Sequence, residues 1–251
     1  LRDAGAQILQ PPKELDYFAP GYYSVGFRDP DGVPIEVAHR WDDLPDLPDA
    51  EPVRVPGHGV SLGGYFFKPQ AGAPPYPALV LLHGFAGHVH NMAGLARAAS
   101  ANGYAALALS LRGWLGSEGE NDQGLRQPLD VLAAIDWLGK RPLVDRDRIG
   151  LVGASMGGQV ALLAAAHKPP VKAVASFFAP TDLARWREAN PFIRDYLDDL
   201  CGPEGLPVRS PILRVAQIDV PVLLIHGDRD ENVPVAQTLA MADALRDHGK
   251  D

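Results

Sequence analysis

Cysteine, long apolar runs and clusters of basic residues are scarce or missing in this sequence, and each absence excludes a class of protein. Cys201 is the single cysteine among 251 residues, so the chain cannot close an internal disulfide or build a cysteine-based metal site. This usage fits a reducing compartment, and we expect a cytoplasmic protein. The longest apolar runs, such as "PALVLL", are far shorter than the roughly 20 residues that cross a bilayer, so no membrane partner is expected.

The charge of the chain argues against nucleic-acid binding. The formal net charge is −8, and no run rich in Lys or Arg interrupts the acidic balance. With 46% hydrophobic and 22% charged residues, the composition is that of a globular protein with enough apolar material for a sizeable core. No nucleic-acid partner is therefore expected, and the composition leaves the oligomeric state open.

An acidic stretch punctuated by proline divides the chain into two unequal parts. Residues 41–52 read "WDDLPDLPDAEP", which makes a poor core element and a good linker. We expect a partial module over residues 1–40 and the main domain over residues 53–251. Because the first residue is Leu1 and not a methionine, we expect either that a leading segment has been removed or that the chain is a piece of a longer protein.

After this stretch, apolar strand-like runs alternate with helical patterns. Such an alternation indicates an α/β fold, in which helices cover both faces of a mostly parallel sheet. Asn91 is expected to begin the first helix, and Pro234 to lie in the first turn of the last one. The expected elements are a hairpin over 53–67, strands over 77–82, 104–109, 148–153, 171–178 and 220–226, and helices over 91–101, 125–139, 156–167 and 233–247.

The strongest chemical signal is "GASMGG", residues 153–158, which lies between a predicted strand and a predicted helix. This is the setting of a nucleophile elbow, a sharp turn that exposes a serine at the carboxyl edge of a sheet. Small neighbours at Gly153 and Gly157 would let strand and helix approach closely. The plainer alternative is a glycine-rich turn in which Ser155 only caps the helix.

Residues 51–251 resemble the α/β-hydrolase superfamily, including its esterase, dienelactone-hydrolase and prolyl-oligopeptidase-like groups. The resemblance rests on "LLHGF", "SLRGWLGSEG", "GASMGG" and "VPVLLIHGDRDENVP", and on their order. It implies a serine hydrolase without a cofactor, acting on ester or amide bonds. It further implies that the substrate is a small molecule, that the backbone N–H groups of Phe85 and Met156 form the oxyanion hole, that His83 is structural, and that Asp230 is the catalytic acid. Asp228 is expected instead to be a turn residue that holds its own backbone.

The histidine of this family follows the acid in the chain, and only His248 does so here. In the family the catalytic histidine lies on a loop after a final strand, and the chain ends before such a strand. His248 instead lies where a helix is expected to end, before Gly249. We therefore expect that the last strand and the catalytic histidine are missing, and that the chain as given is inactive or weakly active. His248 is kept only as an alternative base.

Residues 179–205 are too long for a simple turn between two strands. They are expected either to form a small cap over the active site or to be a peripheral helical crossover. In the first case Trp186, Phe192 and Tyr196 would line the substrate pocket. Independently of the cap, His88 is expected to lie at the mouth of the pocket or to face solvent.

The segment "YYSVGFRDPDGVPIEVAH", residues 22–39, reads as a strand, a turn and a second strand. It resembles the closing hairpin of glyoxalase-type vicinal-oxygen-chelate domains. By that resemblance Glu36 would bind a divalent metal ion, although the partner ligands of the module are absent. Two further functions stay open: a metal-dependent lyase or dioxygenase in which the hydrolase part is accessory, and a non-catalytic binding module on a hydrolase scaffold.

Overall fold

The chain forms two compact units, Leu1–Pro45 and Asp46–Asp251, in a computed structural model. The structure describes residues 5–14, 23–28, 30–31, 34–39 and 46–250. Residues 41–45, the first part of the predicted linker, lie outside the described residues. Residues 51 and 52, its last part, already belong to a strand of the second unit.

The first unit contains a three-stranded antiparallel sheet in the order β1-β2-β3. The predicted hairpin is confirmed, because β2 and β3 pair in register from Tyr23 opposite His39 to Arg28 opposite Pro34. In β1 the register shifts between Gln10 and Lys13. Two prolines fill this interval, and a proline has no N–H to donate to its neighbour. The strands are β1 (Gln7–Glu14), β2 (Tyr23–Arg28) and β3 (Pro34–His39).

The second unit is built on a seven-stranded sheet in the order β10-β9-β8-β6-β7-β5-β4. The pairs from β7 through β6, β8 and β9 to β10 are parallel, whereas β5 runs antiparallel to β7 and to β4. The predicted mostly parallel sheet is therefore confirmed. The strands are β4 (Glu51–Pro56), β5 (Ser61–Phe67), β6 (Tyr76–Leu82), β7 (Ala105–Leu109), β8 (Val144–Ala154), β9 (Val174–Phe177) and β10 (Val222–Ile225).

Helices cover both faces of this sheet, and three of the four predicted helix starts differ from the observed ones by two or three residues. The first helix begins at Val89 after an N-cap at His88, and Asn91 lies at the third helical position, where its side chain accepts the His88 N–H. Pro234 precedes the last helix, which begins at Ala236. No described helix combines the length and apolar character that crossing a bilayer would take. The helices are α1 (Val89–Ala101), α2 (Gln127–Gly139), α3 (Met156–Ala165), α4 (Leu183–Ala189), α5 (Pro191–Cys201) and α6 (Ala236–Asp247), with 3₁₀ turns at Pro203–Gly205, Pro207–Arg209 and Pro211–Gln217.

The core lies around the central strands, where β7 and the second half of β8 are apolar and mostly buried on both faces. Every residue of α3 is buried as well, since this helix packs against β8 and β9 on one side and α2 on the other. Because β6, β8 and β10 are parallel, their carboxyl ends meet at one edge of the sheet. The loops that follow them carry "HGF", Ser155 and Asp230, so the fold brings all three predicted motifs to the same edge.

A buried ion pair fixes the turn that follows β7 to helix α2. Arg112 donates from Nε and Nη2 to the two carboxylate oxygens of Asp130, each at 2.8 Å, and the side chains are 3% and 0% exposed. His58 completes the arrangement, since its N–H donates to Asp130 and its carbonyl accepts from Arg112, both at 2.7 Å. With each charge paired and hydrogen-bonded, the desolvation cost is offset.

Candidate active site

Ser155 lies between the end of β8 and the start of α3, with φ of 52° and ψ of −118°. The predicted strand-to-helix turn with a positive φ is therefore confirmed. Two glycines make the turn possible. A Cβ on Gly153 would lie 2.1 Å from the carbonyl oxygen of Gly157, and one on Gly157 would lie 2.3 Å from that of Leu82. Larger residues would push the strand and helix apart, so this strained serine conformation is held by close backbone packing.

The "HGF" loop after β6 stands directly beside the serine. A Cβ on Gly84 would lie 3.3 Å from the Cβ of Ser155 and 3.9 Å from its Oγ. In the described part of the chain, the N–H groups of Phe85 and Met156 donate no hydrogen bond. The Met156 N–H is also at the first position of α3, where the helix dipole favours negative charge.

His83 holds this loop from inside the protein. Its Nε2 accepts the N–H of Leu111 at 3.0 Å, and its Nδ1 lies 2.7 Å from the carbonyl oxygen of Gly84, to which it donates. Burial lowers the pKa of His83 from 6.5 to about 4, against a smaller opposing effect of the Gly84 hydrogen bond. The ring is therefore neutral at pH 7 and serves as a fixed connector between the loop and the turn after β7.

His88 does not lie at the mouth of the pocket, in contrast to the expectation. It is the N-cap of α1 and only 5% exposed, and its Nδ1 accepts the N–H of His90 at 3.4 Å. The sequence pattern led us to begin the helix at Asn91, which placed His88 in an open loop. Because the helix starts two residues earlier, the side chain turns inward to cap it.

The loop between β10 and α6 carries three acids, and among them Asp230 is the one fixed by hydrogen bonds in the described part of the chain. Its Oδ1 accepts the backbone N–H groups of Asn232 and Val233, both at 2.9 Å. Its Oδ2 lies 3.5 Å from Nε2 of His226. The side chain of Asp228 is 92% exposed. The expectation that Asp228 holds the turn is wrong, because Asp230 itself makes these local bonds.

A cleft of about 250 Å³ opens at Ser155, bounded by the "HGF" loop, the acid loop and the helices α4 and α5. None of its lining residues carries a formal charge. Another cleft, of about 340 Å³, is larger but contains neither Ser155 nor Asp230, so we assign no catalytic role to it. The cleft at the serine is lined by Phe85, Ser155, Trp186, Asn190, Phe192, Ile193, Tyr196, Asn232 and Val233.

Residues 179–205 do contribute the outer wall of this cleft. Tyr196 of α5 stacks edge-to-face on Phe85, with ring centroids 5.1 Å apart. Its hydroxyl accepts from Nδ2 of Asn121 at 2.8 Å and lies 3.1 Å from Oε1 of Gln123. Burial raises the pKa of Tyr196 to about 12, so it keeps its proton. Trp186 of α4 donates from Nε1 to the carbonyl of Asn232 at 2.7 Å.

His248 is not brought to Ser155. It is the C-cap of α6, exposed, with its Nδ1 2.8 Å from the carbonyl oxygen of Ala244. Gly249 follows with φ of 63°, and Lys250 donates its N–H back to Leu245, which is the hydrogen-bond pattern of a Schellman motif. With 12 residues, α6 is about 18 Å long, and it carries His248 away from the Asp230 loop.

The sequence did not indicate five further residues of the site: His226, Asn190, Ile193, Asn232 and Val233. The side chain of His226 is 1% exposed, with Nδ1 2.7 Å from Oγ1 of Thr238 and Nε2 2.7 Å from the carbonyl oxygen of Val233. The spacing "DENV" was the signal available for the loop, since an aspartate commonly accepts the N–H groups two and three residues later.

Glu36 lies in β3, opposite Gly26 of β2. Within the described ranges, no group of three or more His, Cys, Asp or Glu side chains is placed to hold a metal ion. The metal-binding role of Glu36 and the glyoxalase-type origin of the first unit stay predictions.

A parallel sheet that ends in a positive-φ serine turn at a helix N-terminus, with the acid loop two strands away, defines the α/β-hydrolase fold. Within this fold the chain belongs to the prolyl oligopeptidase family, whose family model (Peptidase_S9) matches residues 96–251, more than half of the chain. Of the groups that the motifs left open, this family is therefore the one shown.

Two of the curated relatives are considerably longer than this chain. The uncharacterized peptidase YuxL of Bacillus subtilis is 29% identical over 217 residues, which cover 77% of this chain and 32% of that protein. Acylamino-acid-releasing enzyme 1 of Oryza sativa is 29% identical over 200 residues, which cover 69% of this chain and 25% of that protein. The chain thus spans about a quarter to a third of the length of these relatives.

Solved structures show the same fold. A puromycin-hydrolyzing peptidase of Mycobacterium tuberculosis superposes with a TM-score of 0.71 at 26% identity, covering 91% of this chain and 38% of that one. An esterase of Pyrococcus furiosus superposes with a TM-score of 0.67 at 21% identity, covering 79% of this chain and 78% of that one. At this identity the esterase supports the fold alone.

Proposed function

We propose that this chain carries the catalytic domain of a serine hydrolase that cleaves amide or ester bonds, with Ser155 as the nucleophile. The observation that carries the proposal is the strained serine turn at the mouth of an uncharged cleft, beside two N–H groups without a partner in the described part of the chain. A serine that only capped α3 would accept a backbone N–H, and Ser155 makes no such side-chain bond.

In the proposed reaction, Oγ of Ser155 attacks the carbonyl carbon of the substrate and transfers its proton to a base. The carbonyl oxygen becomes an oxyanion, which the N–H groups of Phe85 and Met156 stabilise. The protonated base then returns the proton to the leaving amine or alcohol, and an acyl-enzyme remains. Water, activated by the same base, attacks the acyl-enzyme and releases the acid product and the free serine.

Asp230 is the proposed acid that orients the base. Its Oδ1 is engaged by two backbone N–H groups, whereas Oδ2 has a longer contact, of 3.5 Å with Nε2 of His226, and keeps lone pairs for a further donor. No histidine lines the cleft among the residues that the structure describes. His83, His226 and His248 each have a structural contact that accounts for them. We propose that the base is a histidine outside residues 46–250, and that these residues alone hydrolyse substrates weakly.

The cleft indicates the kind of group that the enzyme accepts. Its walls are largely aromatic and aliphatic, and a charged group placed there would lose its water without gaining an ionic partner. We propose a substrate with a neutral, apolar or aromatic group next to the bond that is cleaved. The names of two relatives, an acylamino-acid-releasing enzyme and a puromycin-hydrolyzing peptidase, support an amide bond over an ester bond.

The test compares p-nitrophenyl butyrate with the p-nitroanilide of N-acetylphenylalanine, using the wild-type chain, Ser155→Ala and His248→Ala. We expect slow ester hydrolysis by the wild type, which added imidazole accelerates by serving as a diffusible base. Ser155→Ala corrects for the hydrolysis that imidazole causes without the enzyme.

Two results would oppose the proposal. If wild type and Ser155→Ala hydrolyse both substrates equally, with and without imidazole, Ser155 is not the nucleophile. If the wild type is fast without imidazole and His248→Ala abolishes that rate, the base is His248 and our assignment of it to the helix end is wrong.

A further inference from the structure

The two residues whose N–H groups hold the Asp230 carboxylate are themselves held from two sides. Asn232 and Val233 donate their N–H groups to Oδ1 of Asp230. The carbonyl of Val233 accepts from Nε2 of His226, below the loop, at 2.7 Å. The carbonyl of Asn232 accepts from Nε1 of Trp186, on the cap, also at 2.7 Å. The position of the Asp230 carboxylate therefore depends on one contact with the buried His226 and one contact with Trp186 of α4.

The remainder of this loop has few contacts. The side chains of Asp228 and Arg229 are 92% and 98% exposed. A Cβ placed on Gly227 would meet nothing within 4 Å. A loop with so few buried contacts opens easily, and each remaining hydrogen bond then has a large effect on its order. The bond from Trp186 is the contact that reaches the outer part of the loop.

Trp186 is well placed to fix this part of the loop because its own position is fixed. It is 6% exposed and packs in a small apolar cluster. The members of this cluster are Leu183, Trp186, Leu197, Leu206 and Val233. The same indole also lines the cleft at Ser155. A group bound in the cleft would therefore contact the side chain that holds the acid loop.

We propose that Trp186 is a positioning residue, whose indole N–H steadies the Asp230 loop and transmits occupation of the cleft to the acid. This inference rests on the proposed role of Asp230 as the catalytic acid. It differs from a role as a cleft wall alone, because it assigns a function to the N–H and not only to the ring. A substrate that packs against the indole would order the loop at the moment when the acid is needed.

The experiment measures amide hydrogen exchange at Asn232 and Val233 by NMR in the wild type, Trp186→Phe and Phe192→Leu. Trp186→Phe keeps an aromatic ring but removes the donor, and Phe192→Leu is the matched control, since Phe192 lines the same cleft. Loss of one hydrogen bond should speed exchange at these two amides about fivefold in Trp186→Phe. Exchange in β9 should not change, and Phe192→Leu should behave like the wild type at all these positions.

A second arm adds phenylboronic acid, which binds an active serine and fills the cleft. In the wild type it should slow exchange at Asn232 and Val233, and in Trp186→Phe this effect should be lost. If the boronate does not bind Ser155, the proposed function fails, whereas the first arm still decides the role of Trp186. If Trp186→Phe unfolds, benzothienylalanine at position 186 keeps the shape of the indole and replaces the N–H with sulfur.

Unchanged exchange at Asn232 and Val233 in the folded Trp186 variants would overturn the proposal. An equal acceleration in Phe192→Leu, or in β9 as well, would also overturn it, because the effect would then come from general loosening of the cap. Faster exchange at Asn232 and Val233 alone, seen only in the variants that lack the indole N–H, supports the proposal.

Discussion

Adding one methyl group at Gly157 is expected to damage the nucleophile turn, whereas adding it at Gly94 should stabilise the protein. A Cβ on Gly157 would lie 2.3 Å from the carbonyl oxygen of Leu82 and 2.6 Å from that of His83. Both atoms belong to backbone, which cannot swing aside as a flexible side chain can. At Gly94, in the exposed part of α1, a Cβ would meet nothing within 4 Å.

The magnitudes follow from these contacts. Overpacking of a well-packed site costs about 1–3 kcal/mol, and a contact with fixed backbone belongs at the upper end, so we expect Gly157→Ala to lose about 3 kcal/mol of unfolding free energy. Replacement of a helical glycine by alanine gains about 0.5–1 kcal/mol when the site is open, so Gly94→Ala should become more stable by that amount. The two variants have the same added atom and opposite signs.

Urea denaturation followed by circular dichroism measures both changes, provided that the slope of the transition stays constant. Reactivity of Ser155 toward a fluorophosphonate gives a second readout, since Gly157→Ala should also displace the serine. If Gly157→Ala is as stable as the wild type, the strand and helix at Ser155 are not as closely packed as described. Close backbone packing would then not be what holds Ser155 in its strained conformation.

Two further changes concern buried groups. Asp130→Asn breaks the buried pair with Arg112 and should lower the free energy of unfolding by about 3–5 kcal/mol, measured by thermal or urea unfolding. Its control, Asp136→Asn, breaks an exposed pair and should lower it by no more than about 1 kcal/mol. Equal losses in the two variants would contradict the structural role of the buried pair. The pKa of His83 is lowered from 6.5 to about 4 in the folded protein. As the pH falls from 6.5 toward 4, His83 is therefore protonated in the unfolded chain but stays neutral in the folded one, which favours unfolding. The stability present above pH 6.5 should fall by about 2 kcal/mol between pH 7 and pH 5. His83→Gln retains an acceptor but does not titrate in this range, so its free energy of unfolding should fall less on acidification than that of the wild type. If both proteins show the same pH dependence of stability, His83 is not a buried neutral group.

The sequence was sufficient for the fold and for the sharp turn at Ser155 because both depend on local patterns. The continuous apolar run of residues 77–82 predicts a buried parallel strand, and the small residues around Ser155 predict a sharp turn. Both kinds of signal survive in a single sequence, since they reflect backbone geometry and burial along one segment. The strand order and the meeting of the three motifs at one edge were not predicted, because they depend on pairing between distant segments, and the described sheet shows them.

Side-chain directions across segments could not be predicted in the same way. His88 was expected at the pocket mouth, but it caps α1, because a shift of two residues in a helix start turns a side chain by more than half a turn. The contact of Trp186 with Asn232 joins residues that are 46 positions apart, and no local pattern encodes it. Asp230 was selected from its motif as the candidate acid. The hydrogen bonds that hold the turn were expected of Asp228, but Asp230 makes them.

The most direct test of the central claim is the site of reaction with a fluorophosphonate, found by mass spectrometry of the intact chain and its peptides. Even without a base in the cleft, an oxyanion hole retains a part of the catalytic effect. We therefore predict a single adduct on Ser155, formed faster in the folded wild type than in the urea-unfolded chain and absent in Ser155→Ala. An adduct spread over other serines, or a rate on Ser155 that unfolding does not change, would contradict the claim that this fold activates Ser155.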